Sequence, residues 1–392
     1  MNNQFKNFGI TSLYFDVKSR NVKYLILVLF LLPLQITAQY NIKGVINDKL
    51  DNKPVPYASV YVDGTSNGTI TDISGSFLLK DVIPPCEIVI SHISFETKVI
   101  SLEKNSDTIY HISLISKDVA IEEIEVINNN RREENLKHFK DRFIGTDYWG
   151  RNAQILNDSV LVFKRELYND FNESKGKLTA DSNSVWFIAI AKGPILVDLP
   201  LLGYKLHIDL VKFVELQTNR KSLYEFHALG YFYFQPAEEE TKRKTNRFKK
   251  KRLEAYYNSD RHFCRSLFQN NLKENGYYVN YYEYKNQEFK PEKIEFEFDK
   301  CITQSGNTVK VVGLKNRTFY IGYYKMHNRP INLKNGIDER PTSLSVVHFL
   351  KDTCVIRQDG SRPDNSIMFG PDIGDKRVGA MLPNDYIPNG NK

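Results

Sequence analysis

Between Gly64 and Phe77 the chain runs Gly-Thr-Ser-Asn-Gly-Thr-Ile-Thr-Asp-Ile-Ser-Gly-Ser-Phe, and no other stretch restricts the local fold as tightly. Gly64, Gly68 and Gly75 supply the positive φ that tight turns need, and Asn67 and Asp72 can bond back onto the local backbone. Thr69 to Thr71 is β-branched and suits a strand. The reading is a hairpin module, two turns and two short strands, and not a helix. On either side, residues 41–47, 58–62, 69–71, 76–79, 87–92, 96–102 and 108–114 read as about seven short strands separated by Pro, Gly, Asn and Asp clusters. In the last of these the apolar positions fall at Ile109, Ile112 and Leu114, so the alternation slips once, as a bulge would make it.

With the flanking Gly44-Val45-Ile46-Asn47-Asp48 and Pro54-Val55-Pro56-Tyr57-Ala58-Ser59-Val60, the hairpin stretch resembles the carboxypeptidase regulatory-like domain. That resemblance implies a small prealbumin-like β-sandwich of a kind common in the envelope proteins of Gram-negative bacteria. It covers roughly residues 40–115. Ser91-His92-Ile93-Ser94-Phe95 departs from the family's Ser-x-x-Gly-Tyr strand end at Ser94. TonB-dependent transporters carry the same domain before a plug and a membrane barrel, but residues 131–392 are too few for the roughly 22-stranded barrel of that class.

The first 38 residues read as a secretory signal peptide and are left out of the fold. Lys18, Arg20 and Lys23 precede an apolar run from Tyr24 to Leu34, followed by Gln35-Ile36-Thr37-Ala38, which places cleavage after Ala38. The run is too short for a membrane span. No cysteine stands at the cleavage point, which argues against a lipid anchor. Removing this segment lowers the formal net charge from +7 to +4, an excess too mild to argue for nucleic acid. Cys86, Cys264, Cys301 and Cys354 remain, widely spaced and without a C-x-x-C pair, so zinc and redox motifs are absent. Buried free thiols or one structural bridge both fit that spacing.

Residues 117–130 are an acidic connector ending in three asparagines, and 131–392 read as a second, β-rich α+β domain. Its expected elements are a helix over 133–143 closed by Gly145, strands over 160–167, 185–189, 204–216 and 224–234, and a helix from a Ser259 or Asp260 cap to about Asn275 with Gly276 as its stop. Gly193-Pro194 and Leu199 to Gly203 read as breaks between strands. Strands over 277–284, 293–298, 309–314, 317–324, 343–350 and 354–357 follow, and the tail reads as loop. The 24 Phe and 23 Tyr favour such an architecture, and 41% hydrophobic with 26% charged residues excludes disorder as the main state. Tyr204-Lys205-Leu206-His207, Leu210-Val211-Lys212-Phe213, the run from Arg252 to Leu267 and Leu382-Pro383-Asn384-Asp385-Tyr386-Ile387-Pro388 resemble a family of exported proteins that carry the regulatory-like domain and have no established activity. That likeness spans nearly the whole chain and implies architecture and location without chemistry.

Few constellations point to chemistry. Gly64-Thr65-Ser66-Asn67-Gly68 satisfies G-x-S-x-G, yet a nucleophile elbow requires a helix after the Ser, and here a strand follows. No His is followed by Glu at the spacing of a metallocarboxypeptidase, H-E-x-x-H is absent, and so are G-x-G-x-x-G and the P-loop; no cofactor and no metal is expected. Glu295 and Glu297 alternate with Phe296 and Phe298 as on a solvent face. Arg261-His262-Phe263-Cys264-Arg265 is the best remaining group. His262, Cys264 and Arg265 are the candidate catalytic residues of an acyl-transfer or anion site, against a reading in which the helix packs Phe263, Leu267 and Phe268 inward and the His is structural. Lys242-Arg243-Lys244-Thr245-Asn246-Arg247-Phe248-Lys249-Lys250-Lys251-Arg252 offers contact to an anionic glycolipid of the outer membrane or to an acidic polymer, against a solvated loop paired with Glu238 to Glu240.

The sequence thus reads as a mainly β protein with some α: signal peptide 1–38, prealbumin-like sandwich 39–116, linker 117–130, and β-rich α+β domain 131–392. The expected function is non-enzymatic binding or assembly at the cell envelope, in the periplasm or at the outer membrane, with an envelope protein or glycan as partner and no nucleic acid. The alternative is an exported hydrolase of unrecognised type with its site near His262.

Overall fold

A computed structural model describes residues 40–104, 109–117, 131–167, 184–217, 226–238, 241–283, 292–324, 342–363 and 366–388. The expected signal peptide, and all of the connector beyond Lys117, lie outside them.

The seven expected N-terminal strands are β1 (Tyr40–Asp48), β2 (Ser59–Val62), β3 (Gly68–Ile70), β4 (Ser76–Val82), β5 (Cys86–His92), β6 (Phe95–Leu102) and β7 (Tyr110–Leu114). They form two sheets, β4-β1-β7 and β3-β2-β5-β6. Side chains at alternate positions, Ile42 and Ile46 on β1 and Ile88 and Ile90 on β5, meet between the sheets with Val60, Phe77, Leu79 and Leu114. The anticipated bulge in the last strand is not there: β7 runs parallel to β1 in unbroken register, and Ile109, which upset the alternation, lies before the strand and is exposed. Asp72 closes the second turn by accepting the amides of Ser74 and Ser76.

Two further cores follow. Helix α1 (Arg132–Phe139) runs on into a π-helical turn (Lys140–Ile144), and Gly145 at φ 113° ends it. Phe139 and Phe143 are buried against a sheet made of β8 (Gln154–Ile155), β9 (Leu161–Leu167), β10 (Val185–Ala191), β11 (Ile195–Leu199), β12 (Tyr204–Gln217) and β13 (Phe226–Pro236). The long β12 carries β11 and β10 end to end along one edge and β13 along the other. Between Ile144 and β8, the short α2 (Tyr148–Asn152) is capped by Asp147, whose carboxylate accepts the Gly150 amide. Next come α3 (Lys242–Tyr256) and α4 (Asp260–Phe268). The last core lies between sheets β15-β14-β18-β19-β21 and β16-β17-β20, drawn from β14 (Tyr277–Glu283), β15 (Glu292–Glu295), β16 (Ile302–Ser305), β17 (Thr308–Val312), β18 (Thr318–Tyr323), β19 (Ser343–Phe349), β20 (Thr353–Arg357) and β21 (Ile367–Phe369). From Tyr40 onward the chain forms one compact unit.

Four more expectations change. The region of Gly193 to Gly203 contains β11, since Ile195, Val197 and Leu199 alternate into the core between the two breaks. The basic stretch is helix and not loop: Thr241 caps it, no Gly or Pro interrupts it, Lys and Arg are good helix formers, and Phe248 and Ala255 anchor its inner face. Helix α4 stops at Phe268, because Asn270 takes a left-handed conformation that closes the helix well before Gly276. The tail includes β21 and a single 3₁₀ turn (Val378–Ala380). All four cysteines are free thiols, Cys264 and Cys354 fully buried. Among the described residues no helix is long and apolar enough to cross a membrane.

Candidate functional site

Helix α4 is where the sequence concentrates reactive side chains, and its geometry turns each of them inward. Ser259 accepts the His262 amide and starts the helix. The His262 ring is buried in a box of tyrosines, its centroid 4.9 Å from Tyr256, 5.1 Å from Tyr277 and 5.3 Å from Tyr257. The Asn258 amide points at Nδ1 at 3.2 Å, which makes that nitrogen the unprotonated one, and the Tyr277 hydroxyl meets it at 2.8 Å. Burial, with the Lys376 and Arg265 charges adding, holds the His262 pKa down at about 3. The imidazole is neutral and its basic nitrogen is occupied.

Cys264 is fully buried in the last core, and burial raises its thiol pKa even though Arg362 donates to Sγ at 3.4 Å. A nucleophilic cysteine needs the opposite environment. Arg265 gives Nε to the Asp359 carbonyl at 2.8 Å and Nη2 to the Asn384 carbonyl at 2.9 Å, with its guanidinium over the Tyr256 ring. Arg261 completes the grip by donating to the Asn384 side chain. The helix therefore brings His262, Cys264 and Arg265 together in sequence but directs them into three different environments.

What Asn384 holds is the turn that opens the first hairpin. Its amide donates to the Gly64 carbonyl at 2.6 Å, and the adjacent Asp385 accepts the Ser66 amide at 3.1 Å and the Ser66 hydroxyl at 2.5 Å. The Ser of the G-x-S-x-G match is thus bound to a carboxylate, with β3 and no helix after it. On its other side the same turn adds to the free edge of β13: Gly64 N–H donates to the Phe232 carbonyl at 2.8 Å and Phe234 N–H to the Thr65 carbonyl at 3.0 Å. Asp63 accepts the Phe232 amide at 2.8 Å. Burial, with the Glu87 carboxylate adding, raises its pKa to about 6 against the opposing Phe232 bond.

Asp209 on β12 is the centre of this seam. Its buried carboxylate accepts from the Tyr61 hydroxyl at 2.6 Å, the Ser91 hydroxyl at 2.5 Å and the Thr97 hydroxyl at 3.1 Å, one donor from each of β2, β5 and β6. Tyr61 also stacks on Tyr233 of β13, ring centroids 5.4 Å apart. Sequence reasoning missed Asp209, Asn384 and Asp385. The available signal was a carboxylate between Ile208 and Leu210 in a strand with a buried face, and it did not reveal the partners, which lie more than 100 residues away.

Other polar groups are structural in the same sense. Glu215 is held by His138 at 2.5 Å and Arg142 at 2.8 Å; burial pushes its carboxyl up, but those partners outweigh it and the net direction is down. Glu295 and Glu297 are exposed and share Lys273, as a solvent face would have them. Lys376 donates to the Ala255 and Tyr257 carbonyls at the end of α3. No group of His, Cys, Asp and Glu that could hold a metal ion occurs among the described residues.

Residues 42–126 match the CarboxypepD_reg-like domain family. The N-terminal sandwich is a regulatory-like β domain. This match covers the region that the hairpin motif identified, and the family comparison assigns nothing to the rest of the chain. No curated protein matches the chain. Among solved structures, a Bacteroides fragilis protein described as a "putative membrane-associated protein of unknown function" is similar at 13% identity over 51% of this chain and 99% of its own, with a TM-score of 0.17.

Proposed function

We propose that the protein is non-enzymatic and acts at the cell envelope by binding or assembly, its regulatory-like domain fixed to the second region as one body. The observation that carries this reading is the fate of the α4 side chains. His262 is a neutral ring among tyrosines with its Nδ1 hydrogen-bonded, Cys264 is fully buried with the Arg362 guanidinium on its sulfur, and Arg265 clamps main-chain carbonyls. A catalytic centre needs groups that converge on space a substrate can enter. The chemistry that remains accessible is charge on a surface.

The test is capture of partners from solubilised envelopes with tagged residues 39–392, wild type and His262→Gln in parallel, with melting curves to establish that both are folded. A defined partner retained by both supports the binding reading. Absence of a partner, together with turnover on a hydrolase panel that His262→Gln abolishes, would replace it with the hydrolase reading.

A further inference from the structure

We infer that the outer face of α3 is a docking surface for the phosphate-bearing headgroups of an anionic membrane. This rests on the envelope-binding reading and names the partner of one surface. Successive residues of an α-helix are rotated by about 100°, so Lys242, Arg243, Arg247, Lys249 and Lys250 fall within a single arc of about 160°. All five are exposed. None has an ion-pair partner among the described residues, and the one acid on that arc of the helix, Glu254, is bound to Lys251 at 2.7 Å. The opposite side is committed to the fold: Phe248 and Ala255 are buried, and Arg252 donates to the Leu202 and Gly203 carbonyls and covers the Tyr204 ring. Of eight basic residues in the sequence run, the structure therefore separates five that face outward from those used elsewhere.

The form of the surface selects its occupant. It is a convex rod, without a groove to follow a polymer backbone, and its one aromatic in that run, Phe248, is buried and unable to stack on a base. Three of the five cations are lysines, point charges suited to a laterally mobile array of phosphates more than to forked recognition of one ligand. Tyr148 and Tyr257, 46% and 40% exposed, flank the helix at its Lys251 side and at its end, and tyrosine is the residue that settles at headgroup depth. One apolar side chain, the partly buried Leu253, lies on the arc of the five cations, so attachment is mainly electrostatic and falls steeply with salt.

The experiment is sedimentation of residues 39–392 with vesicles of phosphatidylcholine alone or mixed with phosphatidylglycerol. The Tyr24 to Leu34 run is omitted so that it cannot insert. The triple variant R243Q/R247Q/K250Q tests the surface, since Gln keeps helix propensity at exposed sites and a melting curve shows that the fold is kept. Each cation near an anionic surface is worth about fivefold in affinity, so the triple should bind phosphatidylglycerol vesicles roughly 100-fold more weakly. Phosphatidylcholine alone should not bind. Inorganic phosphate should compete no better than chloride at equal ionic strength. Undiminished binding by the folded triple, no sedimentation of the wild type, stronger competition by phosphate than by chloride, or tighter binding to duplex DNA than to the vesicles would each overturn the inference. Partner capture without vesicle binding would remove this inference and leave the envelope-binding reading standing, whereas hydrolase turnover lost in His262→Gln would remove that reading and leave the vesicle result to be judged by itself.

Discussion

Gly64 has φ 70°, and a Cβ there would lie 2.5 Å from the Asn384 side-chain nitrogen. Gly64→Ala therefore combines a left-handed strain with a clash at the seam, and a loss of about 2 kcal/mol is expected from denaturant midpoints. Two groups shielded from water tilt the pH dependence in opposite directions. His262, with its pKa lowered from 6.5 to about 3, contributes stability that is present above pH 6.5 and drains away as pH falls towards 3. Asp63, with its pKa raised from 3.8 to about 6, contributes stability that is present below 3.8 and is lost as pH rises through 6. Across that shared window the two slopes oppose each other, each at most about 1.4 kcal/mol per pH unit. Asp63→Asn keeps the acceptor for the Phe232 amide and removes one slope. The variant should be more stable than wild type at neutral pH and should lose stability more steeply on acidification, which melting curves at a series of pH values would reveal. Turn residues such as Gly64 were legible in sequence because their job is local. The partner of Ser66 was not, because nothing near Ser66 encodes Asp385.

Elements were legible where side-chain period and backbone agreed. The seven strands of the regulatory-like domain follow turns whose residues force them, and β12 declares itself by alternation from Tyr204 to Ile208, ahead of a bulge between Leu210 and Lys212. Misreadings came where charge or proline distracted from propensity. In α3 the run of Lys and Arg suggested solvated loop, although the absence of any breaker and the capping Thr241 made a helix the better fit. In α4 the periodicity was read correctly and the end was not, since Asn270 rather than Gly276 turns the chain. The candidate site suffered most, because burial decides whether His and Cys react, and burial is a property of the three cores taken together. At this scale β12 makes a prediction of its own. Asp209→Ala would leave three hydroxyls on β2, β5 and β6 without an acceptor, and a loss of about 3 kcal/mol or more is expected, with Asp209→Asn milder. Denaturant unfolding of the two variants would measure both.

Three cores joined by such a seam should melt together. Calorimetry of residues 39–392 is expected to show one transition, and the double variant Asn384→Ala/Asp385→Ala, which removes the side-chain contacts to Arg261 and Ser66 and keeps the Asn384 main-chain bond to Gly64, should split it, the regulatory-like domain separating from the rest at lower temperature. A single unbroken transition in that variant would mean that β13 and Asp209 suffice without the tail. The Asp63 to Ser66 turn also bears on how this domain could be exchanged between proteins. As a sequence it looks like a cassette, bounded and self-contained. As a structure it lends its turn to a foreign sheet edge and three hydroxyls to a foreign carboxylate. A homologous cassette grafted here would bring the strands and lack the fittings, so the portability of the module ends at the Tyr61, Ser91 and Thr97 hydroxyls.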